Sequence, residues 1–224
     1  MIPFKDDNPT ETYPYVTVGL IALNSLIFLW QLMTPAGGEQ VAFLYGAIPQ
    51  SLITMERTQP ISPVMSVFTS MFLHGGLFHV AGNMLYLWIF GNNIEDSLGH
   101  VKFLLFYLFS GIVAAYSHAL TDPSSTIPMI GASGAVSGIL GAYLLLFPHA
   151  RVHTLIIFGF FWQVVRIPAV VVLGFWIVLQ VLNGILGAGA LRHGGVAWFA
   201  HIGGFIAGII TIKLWRPRKR VRFL

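Results

Sequence analysis

Gly131-Ala132-Ser133-Gly134-Ala135-Val136-Ser137-Gly138-Ile139-Leu140-Gly141-Ala142-Tyr143-Leu144-Leu145-Leu146-Phe147 holds no charge and no proline, and its only polar groups are two serine hydroxyls and a phenol. A helix on the surface of a soluble domain would set polar residues opposite its apolar stripe. This stretch has none to set there. Glycine recurs at 134, 138 and 141, a run of small residues of the kind that lets membrane helices pack backbone to backbone. The segment therefore reads as a membrane-spanning helix, with Ser133 at its head.

The rest of the chain agrees. Of its 224 residues 56% are hydrophobic and only 9% charged, whereas soluble domains carry about 25% charged residues. Too few charges are present to coat a soluble globule. Cysteine is absent, which excludes disulfides, thiolate metal sites and a cysteine nucleophile. The start, Met1 to Thr12, mixes Lys5 with Asp6, Asp7 and Glu11 and lacks the basic n-region of a cleavable signal peptide.

A membrane-spanning helix needs about 20 mostly apolar residues. Six stretches qualify: Tyr15–Met33, His79–Ile94, Val101–Leu120, Ser133–Phe147, Ile167–Leu186 and Val196–Trp215. The second and fourth are short, so they extend into neighbouring residues or sit where the membrane is thinned. The apolar run Thr154–Val165 joins the fifth, and together they are too long for one helix. Arg166 and Pro168 split them, because proline disfavours helix before itself; Thr154–Val165 is read as an interfacial connector. Thr34–Leu73, broken by Pro49, Pro60 and Pro63, reads as an outer loop in the membrane interface.

Six spans place both termini on one side. With the termini inside, the inner face carries Lys5, Lys102, Arg151, Arg166, Lys213, Arg216, Arg218, Lys219, Arg220 and Arg222, and the outer face only Arg57 and Arg192. Basic residues favour the cytoplasmic side. The expected organisation is an all-α polytopic bundle over residues 15–215, with a cytoplasmic segment 1–14 and a basic cytoplasmic tail 216–224. The tail reads as a topology anchor on anionic lipid, not as a nucleic-acid contact.

Polar side chains within spans are costly and default to function. They include His79 and Asn83 in span two, Ser133 and Ser137 in span four, Asn183 in span five and His201 in span six. No Asp or Glu lies mid-span. An aspartyl protease needs two carboxylates sharing a site, a zincin needs HExxH on a helix, and a proton-coupled transporter needs a buried relay. A metal on His74, His79 and His201 would lack a carboxylate base. No metal and no cofactor is expected.

Serine chemistry remains. A serine hydroxyl is a weak nucleophile that requires a neighbouring base. Ser133 lies between Gly131 and Gly134 where span four begins, and a helix N-terminus offers unpaired amides to a developing oxyanion. Taken alone, Ser133 reads better as an ordinary helix cap. His201 heads a second small-residue face, with Gly204 and Gly208 three and seven residues on. If that face meets the one of Gly134, Gly138 and Gly141, Ser133 and His201 come together. Spans two, four and six all descend from the outer side, so Ser133, His201, His79 and Asn83 fall at similar depth. His79 and Asn83 share one helical face and both can donate hydrogen bonds; beside Ser133 they suit an oxyanion hole, whereas span two on its own would read as helix–helix hydrogen bonding.

Together these residues resemble the rhomboid family of intramembrane serine proteases. Gly131–Gly134 match its GxSG motif, His79 and Asn83 its HxxxN motif, and His201, Gly204 and Gly208 its HxxGxxxG motif. His74 and Glu95 also fit family positions. The resemblance implies a six-helix core, a Ser133–His201 dyad, and an oxyanion hole from the Ser133 amide, His79 and Asn83. Gly131, Gly134, Gly138, Gly204 and Gly208 would pack around the dyad. It implies membrane-protein substrates within a lipid bilayer, cut near the outer end of a transmembrane segment, and a gate formed by span five and the loop Gly187–Gly195. A bacterial inner membrane is the expected location. Two departures stand out. Met65 and Ser66 occupy the place of a Trp-Arg pair, and Ser137 replaces a tyrosine that stacks on the histidine in some members. A catalytically inactive rhomboid-like protein that binds membrane clients is the alternative.

Overall fold

A computed structural model describes residues 2–35, 37–187 and 196–215. The chain is mostly helical, and a helix lies at each of the six apolar segments. These are α1 (Tyr15–Met33), α5 (Leu77–Leu98), α6 (His100–Thr121), α7 (Ser133–Leu146), α8 (Ala169–Gly187) and α9 (Trp198–Trp215). Four of them, α1, α6, α8 and α9, are long and apolar enough to cross a membrane. At 22 residues α5 is longer than its apolar run. By contrast α7 has 14 residues, about 21 Å at 1.5 Å per residue.

The segment Thr34–Leu73, read as a loop, is more ordered than that. It forms three short helices, α2 (Gly37–Tyr45), α3 (Pro49–Thr54) and α4 (Pro63–Ser70). Pro49 and Pro63 start helices rather than break them, because the first helical N–H needs no partner in any case. The Ser62 side chain caps α4 by accepting from Met65 N.

The expectation of an all-α chain is corrected. β1 (Ile2–Asp6), β2 (Arg151–Phe158) and β3 (Phe161–Pro168) form an antiparallel sheet in the order β1-β2-β3. The apolar run Thr154–Val165 is thus a β-hairpin. Its Ile and Val residues favour strand, and Gly159, at φ 58°, takes the first position of the two-residue turn between Phe158 and Phe161, where only glycine is at ease. Residues 2–6, read as part of a plain cytoplasmic segment, pair with β2 from Asp6↔Val152 to Ile2↔Leu155. The tail 216–224 and most of the loop Gly187–Gly195 lie outside the described residues.

Helix α7 forms the centre. Gly134 through Tyr143 are all buried, so the helix faces protein on every side, which explains its uniform apolarity. Its small residues admit α6 and α9: a Cβ on Gly134 would come within 2.6 Å of Ala114 Cβ, and one on Gly138 within 2.5 Å of Ser110 Cβ. A buried carboxylate ties α1 to α5. Glu95 accepts from Val16 N at 2.9 Å and from Thr17 N and Oγ1, both at 2.7 Å. No side chain at the start of α1 itself caps it, so Glu95 meets its orphan amides and its positive end.

Candidate active site

Ser133 is the first residue of α7, and Gly131 shapes the approach to it. Gly131 has φ +124°, and a Cβ there would stand 2.7 Å from His79 Nε2. Glycine is therefore required both for conformation and for space. Its N–H donates to Ser70 O at 2.8 Å, pinning the turn to α4.

His201 lies near the start of α9. Its Nε2 is 2.8 Å from Ser133 Oγ, and the ring is buried at 9% exposure. The helices can approach this closely because Gly204 sits against the Gly134 carbonyl and Gly208 against the Gly138 carbonyl. The two glycine faces read from the sequence do meet, and they bring the hydroxyl and the imidazole together.

His79, Asn83, Ser133 and His201 line one cavity of about 1380 Å³. Thr121, Asp122 and Ser125 also line it. Asn83 Nδ2 is buried and has no hydrogen-bond partner among the described residues; it is a free donor beside the cavity. His79 Nδ1 accepts from Gly75 N at 3.2 Å, which leaves its Nε2 side toward Gly131. His74 is set back from this group, with its ring centroid 5.1 Å from that of His79 in an edge arrangement. Gln31 clamps its backbone through both N–H and C=O. Burial, with His79 beside it, pushes the His74 imidazole down to about 4, so it stays neutral. Among the described residues, no group of three or more His, Asp or Glu side chains gathers as a metal-holding cluster.

Sequence reasoning missed the residues that hold His201. Gln180 Oε1 on α8 is 2.8 Å from His201 Nδ1. Trp176, one turn earlier on α8, lies 5.8 Å from the imidazole centroid at 35°, and Trp198 meets it edge-on at 6.2 Å. Ser137, which has no ring to stack, instead donates to Ser133 O at 2.6 Å. The signal for Gln180 was a side-chain amide in a span whose one other amide is Asn183.

The rhomboid domain family model matches residues 62–218. The chain belongs to the rhomboid family. Among curated relatives, "Rhomboid protein 1, mitochondrial" of Saccharomyces cerevisiae is 30% identical over 207 residues, covering 89% of this chain and 53% of that protein. "Rhomboid protease GluP" of Bacillus subtilis is 32% identical over 142 residues, 63% of this chain and 25% of that protein. The human "Presenilin-associated rhomboid-like protein, mitochondrial" is 28% identical over 211 residues, 90% of this chain and 50% of that protein. This rhomboid chain thus spans about half the length, or less, of these relatives. It is an integral, multi-pass membrane protein. The family match begins at α4 and takes in α5 to α9, whereas β1 and α1 to α3 precede it.

Proposed function

We propose that this rhomboid is an intramembrane serine endopeptidase that cleaves transmembrane segments of other proteins with a Ser133–His201 dyad. The observation that carries the reading is the 2.8 Å contact between Ser133 Oγ and His201 Nε2 in the wall of a cavity lined also by His79 and Asn83. The printed name of the Bacillus subtilis relative, a rhomboid protease, supports it at family level.

In this reading His201 Nε2 takes the Ser133 proton as Oγ attacks a peptide carbonyl. The tetrahedral oxyanion is held by the Ser133 amide, Asn83 Nδ2 and His79. His201 then protonates the leaving amine, and water hydrolyses the acyl-enzyme with His201 again as base. The Gly131 turn leaves room for a substrate backbone to lie close. The substrate is a membrane helix made locally extended, since a helical peptide bond is shielded by its own hydrogen bonds. The domain is residues 15–215, with six spans, the segment 1–14 and tail 216–224 inside. The placement is a bacterial cell membrane with both termini cytoplasmic, supported by the excess of basic residues on that side.

Co-expression with a tagged single-pass membrane protein tests the reading. Wild type should release a fragment that Ser133→Ala and His201→Ala do not. A fluorophosphonate probe should label wild type but not Ser133→Ala. An unlabelled, well-folded wild type would instead make the chain a client-binding rhomboid-like protein.

A further inference from the structure

Gln180 is 6% exposed and stands on α8, with no part in the motifs that identify the family. Its side-chain amide makes two contacts. Nε2 donates to Trp176 O at 3.1 Å, and Oε1 lies 2.8 Å from His201 Nδ1. A backbone carbonyl can only accept, so the end of the amide facing Trp176 must be the NH2. The end facing His201 is then the carbonyl, which can only accept in turn. Turning the amide over would oppose two carbonyl oxygens and lose the bond to Trp176 O. His201 Nδ1 must therefore carry the proton, and a neutral imidazole protonated at Nδ1 is bare at Nε2. That bare nitrogen is the one 2.8 Å from Ser133 Oγ.

From this chain of donors and acceptors we propose that Gln180 is the positioning residue of the dyad. Anchored on the Trp176 carbonyl, it selects the His201 tautomer that can accept the serine proton, and it fixes the ring's rotation between Trp176 and Trp198. The inference rests on the dyad reading above. Gln180 fills the place that a buried carboxylate takes in a Ser-His-Asp triad, but without a charge. It accepts the Nδ1 hydrogen bond both before and after Nε2 is protonated, and its bond to the imidazolium is the stronger of the two. Its removal should therefore slow the chemical step and leave ligand binding alone. The expected loss is about 10–100-fold, the range that one hydrogen bond to a charged partner supplies.

The test uses the full-length chain purified in detergent and a fluorophosphonate probe. It measures the maximal inactivation rate, the half-saturating probe concentration and the thermal midpoint. Gln180→Met keeps length and volume but offers no comparable acceptor. Its maximal rate should fall about 10–100-fold, with half-saturation unchanged. Gln180→Glu restores an acceptor at the same reach and should recover most of that rate. Equal rates in Gln180→Met and wild type would overturn the proposal, and so would equal losses in the Met and Glu variants, since then the acceptor is not what matters. Labelling that persists in Ser133→Ala would mark failure of the dyad reading itself. Labelling abolished by Ser133→Ala but undisturbed by Gln180→Met would remove only the role of Gln180.

Discussion

Gly208 on α9 rests directly against the backbone of Gly138 on α7: a Cβ added to Gly208 would overlap the Gly138 carbonyl oxygen. Backbone cannot retreat as a flexible side chain can, so any substitution here must part the two helices. They are the helices that carry Ser133 and His201.

Gly208→Ala should therefore cost stability and activity together. Overpacking a close-packed interior costs about 1–3 kcal/mol, read as a lowered thermal midpoint in detergent. Probe labelling at Ser133 should fall as well. Gly174 on α8, where an added Cβ meets nothing within 4 Å, provides the control: Gly174→Ala should leave both unchanged.

Asn83 has the opposite profile. Its buried Nδ2 has no partner among the described residues, so Asn83→Ala removes no hydrogen bond of that nitrogen from the resting protein. The thermal midpoint should hardly move. Turnover of a cleaved membrane protein should drop roughly 10²–10³-fold, as for loss of one oxyanion donor. A variant that lost stability but kept its turnover would refute the oxyanion role.

Docking of β1 should depend on pH. Asp6 accepts from Tyr143 Oη of α7 at 2.5 Å. Burial pushes its carboxyl up to about 6, with Asp7 adding to the rise and the bonds from Tyr143 and the backbone opposing it. Because the folded value lies above the unfolded one, near 3.9, the folded form binds the proton more tightly. The contribution of Asp6 is complete below about pH 4 and is lost as pH rises through about 6. Hydrogen-exchange protection of the β1 amides should be greater at pH 5 than at pH 7.5, and Asp6→Asn should flatten the difference. The neighbouring pair Asp7–His153, at 2.6 Å, works the other way: the bond from His153 holds the Asp7 carboxyl down, so its contribution is lost only in stronger acid.

The hairpin tip offers a test of the interfacial expectation. Ile157, Phe158, Phe160, Phe161 and Trp162 are all exposed, beyond Leu155 where pairing with β1 ends. Aromatic residues in such numbers favour the headgroup level of a bilayer. The chain lacks cysteine, so Phe160→Cys accepts a single environment-sensitive fluorophore. In nanodiscs its emission should be blue-shifted and quenched by lipids spin-labelled near the headgroup. A water-like spectrum would place the tip in solvent.

The helices were legible because a long apolar run has few other readings, and the closeness of Ser133 and His201 because each heads a line of glycines. The sheet was not. Thr154–Val165 is apolar apart from Thr154 and Gln163, so it shows no regular alternation to separate strand from connector, and the turn at Gly159 was the one local clue. Strand β1, Ile2–Asp6, pairs with residues about 150 positions away, a register that no local pattern carries. Gln180 escaped for a different reason. One amide among apolar neighbours resembles helix–helix glue until its partner is known to be His201 Nδ1.

Gln180 and Trp176 ride on α8, whose outward surface is largely uncovered. If that helix swings away to admit a client chain, it takes the latch on His201 with it. In the proposed peptidase, entry and bond cleavage would then be separated in time: an open doorway would disarm the base, and only reclosing around the guest would re-arm it, so water reaching an empty, open site would find no primed nucleophile.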